Sequence, residues 1–317
     1  MRTIRYALVI LFALAVMLTS GCSRQSPPQS SGKPKIALVM KSLANEFFKT
    51  MADGAQAHQK AHASKYDLIV NGIKDELDVN KQVELVEQMI AQGVDAVIIA
   101  PADSKALVAV CKKAADSGII VVNIDNKFDS DALKEAGLTA PFVGPDNRKG
   151  AELVGDELAK HLKAGDKVAI LEGAPNAFNG EQRKLGFEDA MKAAEIEIAA
   201  SQSGYWETDR ANRIARDIIT ANPEVKALLC ANDSMAIGAV KAVEESGKSG
   251  KILVVGYDNI SAVQQLLKEG KILATADQHA DQLAVFGIEY ALEMIDRKAA
   301  PRDKETPVDL VTAVSLK

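Results

Sequence analysis

DAVIIAPADSKALVAVCKKAADSGIIVVNID, residues 95–125, decides the fold. It opens on a continuous apolar run, 95–100, passes through a helical pattern over 104–117 and returns to a second apolar run, 118–125. Runs of Val, Ile and Leu without polar alternation are strands covered on both faces, and such strands pair in parallel. Gly118 stands where a helix ends in the left-handed conformation. Strand, helix and strand within about thirty residues make one βαβ unit with a right-handed crossover.

The same alternation extends in both directions. Upstream lie apolar runs at 35–40 (KIALVM) and 66–70 (YDLIV), with helical patterns at 45–62 and 79–92, the latter closed by Gly93. Downstream, strand-like runs fall at 167–173, 196–201, 225–231, 251–258 and 272–278. Helical patterns fall near 147–163, 180–194, 209–221, 233–246 and 260–268, and Gly247 and Gly270 close two of them. The fold class is therefore α/β, with open, doubly wound parallel sheets. A chain of 317 residues has room for two such units, one per half.

The N-terminus has a different character. Arg2 and Arg5 precede an apolar stretch of twelve residues, Ala7 to Leu18, too short for a comfortable membrane span and the right length for an export signal. TSGC follows, with Cys22 after two small residues; this resembles a bacterial lipobox, although Thr19 stands where that motif usually has leucine. Residues 1–21 are thus expected to be a signal peptide and Cys22 to carry lipid. The polar segment through residue 33 reads as a flexible tether, reaching about 18 Å as a random coil. Net charge is −5, and loss of Arg2 and Arg5 makes it more negative still. An acidic chain without a long basic run is a poor nucleic-acid binder. Cys111 and Cys230 sit in apolar patterns of different halves and read as small buried hydrophobes rather than a disulfide.

In open α/β sheets the ligand sits beyond the carboxyl ends of the strands. Lys41, Asn45, Phe47 and Phe48 follow the first strand, and Asp125 ends the fourth. The second half supplies Asn179 to Arg183, Trp206, Asn232, Asp258 and Gln278. Carboxylates, amides and cations match hydroxyl groups, and flat aromatic faces match C–H surfaces. Phe47 and Phe48 are adjacent on a helix and cannot share one core stripe, so at least one is expected to face a cleft.

These residues sit in KSLANEFF (41–48), VNIDNKFD (122–129), LEG…NGEQR, ASQSGYW (200–206), CANDSMAIGAV (230–240), VVGYD (254–258) and TADQ (275–278). In that order and spacing they resemble the ribose/galactose/allose-type periplasmic sugar-binding proteins, the receptors of ABC importers, over about residues 34–317. The allose branch is nearest in pattern. The resemblance implies a type I periplasmic binding fold whose lobes are 34–145 plus 279–309 and 146–278 plus 310–317, crossing near 145–146, 278–279 and 309–310. It implies a monosaccharide bound by Lys41, Asn45, Phe47, Phe48, Asp125, Arg183, Trp206, Asn232, Asp258 and Gln278. It also implies a membrane permease as partner, a monomeric chain, attachment to the cell envelope only through lipid, and no cofactor. Lys41 stands where ribose-binding relatives have serine, Asn126 where they have arginine, and Glu207-Thr208 where they have Asp-Arg. These departures weigh against ribose and favour a hexopyranose such as D-allose.

Other classes fit less well. His58 and His62 are four apart, a metal-capable spacing, but no third ligand is near in sequence and no metal is expected. There is no phosphate-binding glycine loop and no Gly-x-Ser-x-Gly elbow, so no enzyme is expected. Repressors of the lac type share the two-lobed pattern but carry a helix-turn-helix domain where this chain has its leader and tether. A sugar receptor for a chemotaxis or sensor-kinase partner is the alternative to an importer component.

Overall fold

The computed structural model describes residues 32–316. The signal peptide, Cys22 and the tether up to residue 31 lie outside the described residues.

The first half runs β1 (Lys35–Ser42), α1 (Glu46–Ala61), β2 (Asp67–Ile73), α2 (Val79–Ala91), β3 (Ala96–Ile99), α3 (Val108–Asp116), β4 (Ile120–Ile124), α4 (Ser130–Ala136) and β5 (Phe142–Pro145). The second continues with α5 (Asn147–Ala159), β6 (Lys167–Glu172), α6 (Phe178–Ala193), β7 (Glu197–Ser203), α7 (Thr208–Ala221), β8 (Val225–Cys230), α8 (Asp233–Glu245), β9 (Leu253–Val255), α9 (Ser261–Lys268) and β10 (Ala274–Asp277). The chain closes with α10 (Ala280–Ile295), β11 (Lys304–Thr306) and β12 (Asp309–Thr312).

The strands form two six-stranded sheets, ordered β11-β5-β4-β3-β1-β2 and β12-β10-β9-β8-β6-β7. Every pairing is parallel except β10 with β12. All four residues of β3 are buried, as continuous apolar character requires of a strand covered on both faces. Gly118 has φ 84°, the left-handed end that the sequence pattern places there. In each sheet the order reverses beside the first strand of the half, β1 or β6, which puts a crevice at the carboxyl ends.

Helix starts are set by short polar side chains. Asn45, Asp78, Asp129, Asp146 and Asn232 each accept a backbone N–H in the first turn of the helix that follows. The third helix begins later than the pattern at 104–117 suggests. Asp103 accepts from the backbone N–H of Lys105 and Ala106 at 2.7 and 2.8 Å and holds a turn there, so α3 starts at Val108.

The return segment after Gln278 carries structure that periodicity did not reveal. Helix α10 packs on α1 and on β3, β4 and β5. Its buried residues, from Ala280 and Leu283 to Ile288 and Ala291, lie on one face, but Val285, Phe286 and Leu292 on the other side are apolar too, so only a weak polar stripe marks it in sequence. The chain passes between sheets after β5, between β10 and α10, and between β11 and β12. Asp309 opens β12 opposite Asp277 in the second sheet, which sets the last passage two residues earlier than the expected 309–310. Near it, the His279 ring lies 2.7 Å from an Asp309 carboxylate oxygen. Cys111 and Cys230 are free buried thiols, and burial pushes the Cys111 thiol up to about 12.

Gly54 fixes the contact between α1 and α10. A Cβ there would stand 2.0 Å from the backbone oxygen of Asp281. Alanine in a helix interior normally stabilises by about 1 kcal/mol over glycine. Here the clash outweighs that preference, and overpacking of this kind costs about 1–3 kcal/mol. Gly54→Ala is expected to lower the urea midpoint, whereas a raised midpoint would show that the helices separate freely.

Candidate functional site

Twelve residues line a cavity between the two sheets. All ten residues expected from the sequence are among them: Lys41, Asn45, Phe47, Phe48, Asp125, Arg183, Trp206, Asn232, Asp258 and Gln278. Glu76 and Asn179 complete the wall.

The parallel arrangement brings these side chains together. Lys41 is the penultimate residue of β1, Asn45 caps α1, and Phe47 and Phe48 lie in its first turn. Asp125 follows β4, Trp206 follows β7, Asn232 caps α8, and Asp258 and Gln278 follow β9 and β10. Arg183 projects from the first turns of α6. Among the described residues eight other than glycine have left-handed φ, and Asp125, Trp206 and Asp258 are three of them. Tyr205, Asn259 and His279, each adjacent to a wall residue, are three more. Such backbone costs on the order of 1–3 kcal/mol per residue and clusters where a side chain must be aimed.

The buried charges pair in two sets. Lys41 Nζ lies 3.1 Å from Asp125 Oδ2, with both side chains almost fully buried. Arg183 Nη1 lies 3.4 Å from Asp258 Oδ1 and donates to the Ala231 carbonyl at 2.9 Å. Arg183 Nε donates to Asn147 Oδ1 at 2.8 Å, and its guanidinium stacks 3.7 Å from the centre of the Tyr257 ring. Gln278 Nε2 donates to Asp258 Oδ1 at 2.7 Å. Lys41 Nζ stands 5.6 Å from the centres of both Phe48 and Trp206, so aromatic rings from the two halves flank one cation. Trp206 is seated against Gly173, where a Cβ would come within 2.0 Å of its ring.

Several buried polar atoms of the wall have no hydrogen-bond partner in the protein. They are Asn179 Oδ1, Gln278 Oε1 and Arg183 Nη2, two acceptors and one donor. Leaving such groups unpaired costs about 1–3 kcal/mol each, so the wall is built to meet a polyhydroxylated or similarly polar ring between aromatic faces.

Residues 36–299 match the family described as periplasmic binding protein domain. The chain belongs to the periplasmic binding protein family. A D-ribose/D-allose-binding protein of Pseudomonas aeruginosa is 54% identical over 309 residues, covering 95% of this chain and 97% of that one. A solved ABC transporter solute-binding protein from Burkholderia multivorans, with an unknown ligand interpreted as alpha-D-erythrofuranose, is 60% identical with a TM-score of 0.87. That match covers 89% of this chain and all of the other. A periplasmic solute-binding protein from Actinobacillus succinogenes with bound D-allose is 41% identical, with a TM-score of 0.85 over 90% of this chain and 99% of that one. The architecture is the type I periplasmic binding fold, and the chain is a solute-binding protein rather than an enzyme.

This periplasmic binding protein holds its two sheets together by contacts outside the cavity. Ser104 N donates to the Asn176 carbonyl at 3.0 Å, and Ser104 Oγ accepts from Phe178 N at 3.0 Å. Asn126 Oδ1 accepts from Asn179 N at 3.1 Å, and Asn176 Nδ2 donates to Asp103 at 2.7 Å. At the other edge Glu46 Oε1 accepts from Ser261 N at 2.9 Å. Asn126 is thus not part of the cavity wall. Its amide nitrogen donates to the Pro101 carbonyl, and it is fully buried. Asn126, which stands where ribose-binding relatives have arginine, instead joins the halves.

Glu76 went unnoticed in the sequence because it lies in KDEL (74–77), which resembles a solvated charge cluster. The available signal was its position just past a strand end, β2. His58 and His62 do other work. His58 is 2.8 Å from the Tyr66 hydroxyl and 3.5 Å from Glu289, and His62 Nδ1 meets the His58 carbonyl. Among the described residues no group of three potential ligands stands close enough to hold a metal, and no helix is long and apolar enough to cross a membrane.

Beneath the cavity, burial pushes the Asp233 carboxyl up to about 7, opposed by hydrogen bonds from Thr275 Oγ1 and Ile260 N. Burial also raises Asp258, opposed by Arg183. A carboxyl whose pKa is higher folded than unfolded stabilises the fold while protonated. That contribution is full below about 4 and is lost as pH rises through about 7. The thermal midpoint of the ligand-free protein is therefore expected to fall between about pH 5 and pH 8. In Asp233→Ala the fall should be shallower, with a lower midpoint throughout because two donors lose their acceptor. An equal slope in the variant would remove Asp233 as its source.

Proposed function

We propose that this chain is the sugar-capturing lipoprotein of an ABC importer, taking D-allose or another hexopyranose in preference to ribose and delivering it to a membrane permease. The observation that carries the reading is the wall of unpaired buried donors and acceptors between Phe48 and Trp206. A neutral sugar supplies both the hydroxyls and the C–H faces that such a wall needs. The names and ligands of the relatives agree with an aldose. Preference for a hexose rests on Lys41 and Asn126, which stand where ribose-binding relatives have serine and arginine, Lys41 placing a buried cationic donor at the cavity.

In this reading the ten wall residues expected from sequence are the sugar contacts, and the lobes are 34–145 plus the return segment and 146–278 plus the C-terminal strand. They move about the three passages, and bound sugar favours the closed arrangement because its contacts come from both. The chain acts as a monomer, exported and attached to the envelope through lipid on Cys22. Cys22→Ser is expected to abolish incorporation of labelled palmitate and release the protein from the membrane fraction; label retained in the variant would overturn the anchor.

Calorimetry with D-allose and D-ribose tests the ligand. Allose is expected to bind more tightly, and tight ribose binding without hexose binding would overturn the preference. Asp125→Asn is expected to weaken allose binding roughly tenfold to a hundredfold, since a charge-assisted hydrogen bond is worth about 1.5–3 kcal/mol. Asp125 is a cleaner choice than Arg183, whose contacts to Asn147, Ala231 and Tyr257 also support the fold. Undiminished binding in Asp125→Asn would remove that residue from the contact set.

A further inference from the structure

Glu76 is the one carboxylate of the cavity wall without an ion-pair partner among the described residues. The other four charges are matched, Lys41 with Asp125 and Arg183 with Asp258. Its single protein hydrogen bond is from Asn45 Nδ2 to Oε1 at 2.8 Å. The other end of that amide is fixed, because Asn45 Oδ1 accepts from Phe47 N at 3.0 Å and caps α1. The cap therefore holds Asn45 with its nitrogen toward Glu76 and pins one carboxylate oxygen, leaving Oε2 without a protein donor. A carboxylate accepts up to about four hydrogen bonds, so most of the capacity of this half-buried side chain is left to solvent or a ligand.

Its place in the wall says which part of a ligand would meet it. Only Asn45, Glu76 and Trp206 line both the cavity and a second gap between the halves, bounded by Lys74 and Asp75 on one side and Glu207 and Thr208 on the other. Glu76 thus stands at the end where the cavity adjoins further space. A ring held between Phe48 and Trp206 can extend in that direction by a substituent.

We propose that Glu76 is a specificity-determining residue, whose free oxygen accepts a hydrogen bond from the hydroxymethyl group that a hexopyranose carries outside the ring and ribopyranose lacks. The proposal rests on the sugar-binding reading above. Burial raises the Glu76 carboxyl from its ordinary range, but the Lys41 charge and the Asn45 hydrogen bond oppose that shift. Lys41 therefore supports Glu76 as an acceptor while remaining paired with Asp125.

The alternative is that Glu76 only anchors Asn45 and the start of α1. Titrations of wild type, Glu76→Gln and Glu76→Ala with D-allose, 6-deoxy-D-allose and D-ribose separate the two. Trp206 is the sole tryptophan, so its emission reports the cavity directly. Glutamine keeps a carbonyl oxygen for Asn45 and removes the charge. Both variants are expected to lose about tenfold to a hundredfold in affinity for D-allose, alanine more than glutamine. Affinity for the 6-deoxy sugar and for ribose should change by less than about threefold, as it does for a substitution away from the missing hydroxyl. Equal losses for all three sugars, or rescue by glutamine, would assign Glu76 to positioning and overturn the proposal. Undiminished allose binding in both variants would overturn it as well. Wild type that binds none of the three sugars would overturn the sugar reading itself, which is told apart because no variant is needed to see it.

Discussion

A guanidinium cannot be buried alone, and the cavity end of the second sheet is arranged around that constraint at Arg183. Its charge demands a carboxylate and its remaining donors demand acceptors. Asp258, the Ala231 carbonyl and Asn147 supply them, and the Tyr257 ring covers its face. Those partners come from the ends of β8 and β9 and from the first residue of α5. One side chain on α6 therefore fixes the relation of three other segments. Asp258 is committed in turn: Gln278 donates to the oxygen that faces Arg183. The wall is rigid on this side because each polar group is positioned by another, and the atoms left over are those turned to a ligand.

The first sheet solves a smaller version of the same problem. Lys41 and Asp125 neutralise each other, while Phe48 and Trp206 supply the negative ring faces that a cation favours. Trp206 reaches that position only because Gly173 has no side chain in its way. The sharp backbone at Asp125, Trp206 and Asp258 has the same purpose. Strain accepted at strand ends turns side chains into the crevice, and the long parallel ladders beneath hold it there.

The strands of both sheets were legible because residues such as those of β3 are apolar without interruption, and a short run of that kind between turn residues suits a strand covered on both faces. The wall was legible because parallel strands deliver all their carboxyl ends to one edge, so residues scattered from Lys41 to Gln278 had to converge. Helix α10 was not, since Val285, Phe286 and Leu292 on its less buried side blur the stripe by which helices are recognised. The short strands β5, β11 and β12 give too few residues for any period. Glu76 was hidden among neighbouring charges, and the bridging role of Asn126 was not legible because a polar residue beside a site can face the opposing half instead of the cavity. Periodicity reports which face is buried, but not which buried polar group faces solvent, ligand or protein.

The bonds that Ser104 and Asn126 make to Asn176, Phe178 and Asn179 have a thermodynamic consequence. Those of Ser104 cross the crevice without a residue of the cavity wall, yet under the proposed closing motion they form only as the halves meet. Apparent affinity then scales with the fraction of molecules able to adopt the closed arrangement. A substitution at Ser104 would change every dissociation constant by a common factor and leave the ranking of ligands intact. Strength and selectivity are in this way assigned to separate sets of residues, so a lineage can retune how scarce a nutrient it responds to without altering which nutrient that is.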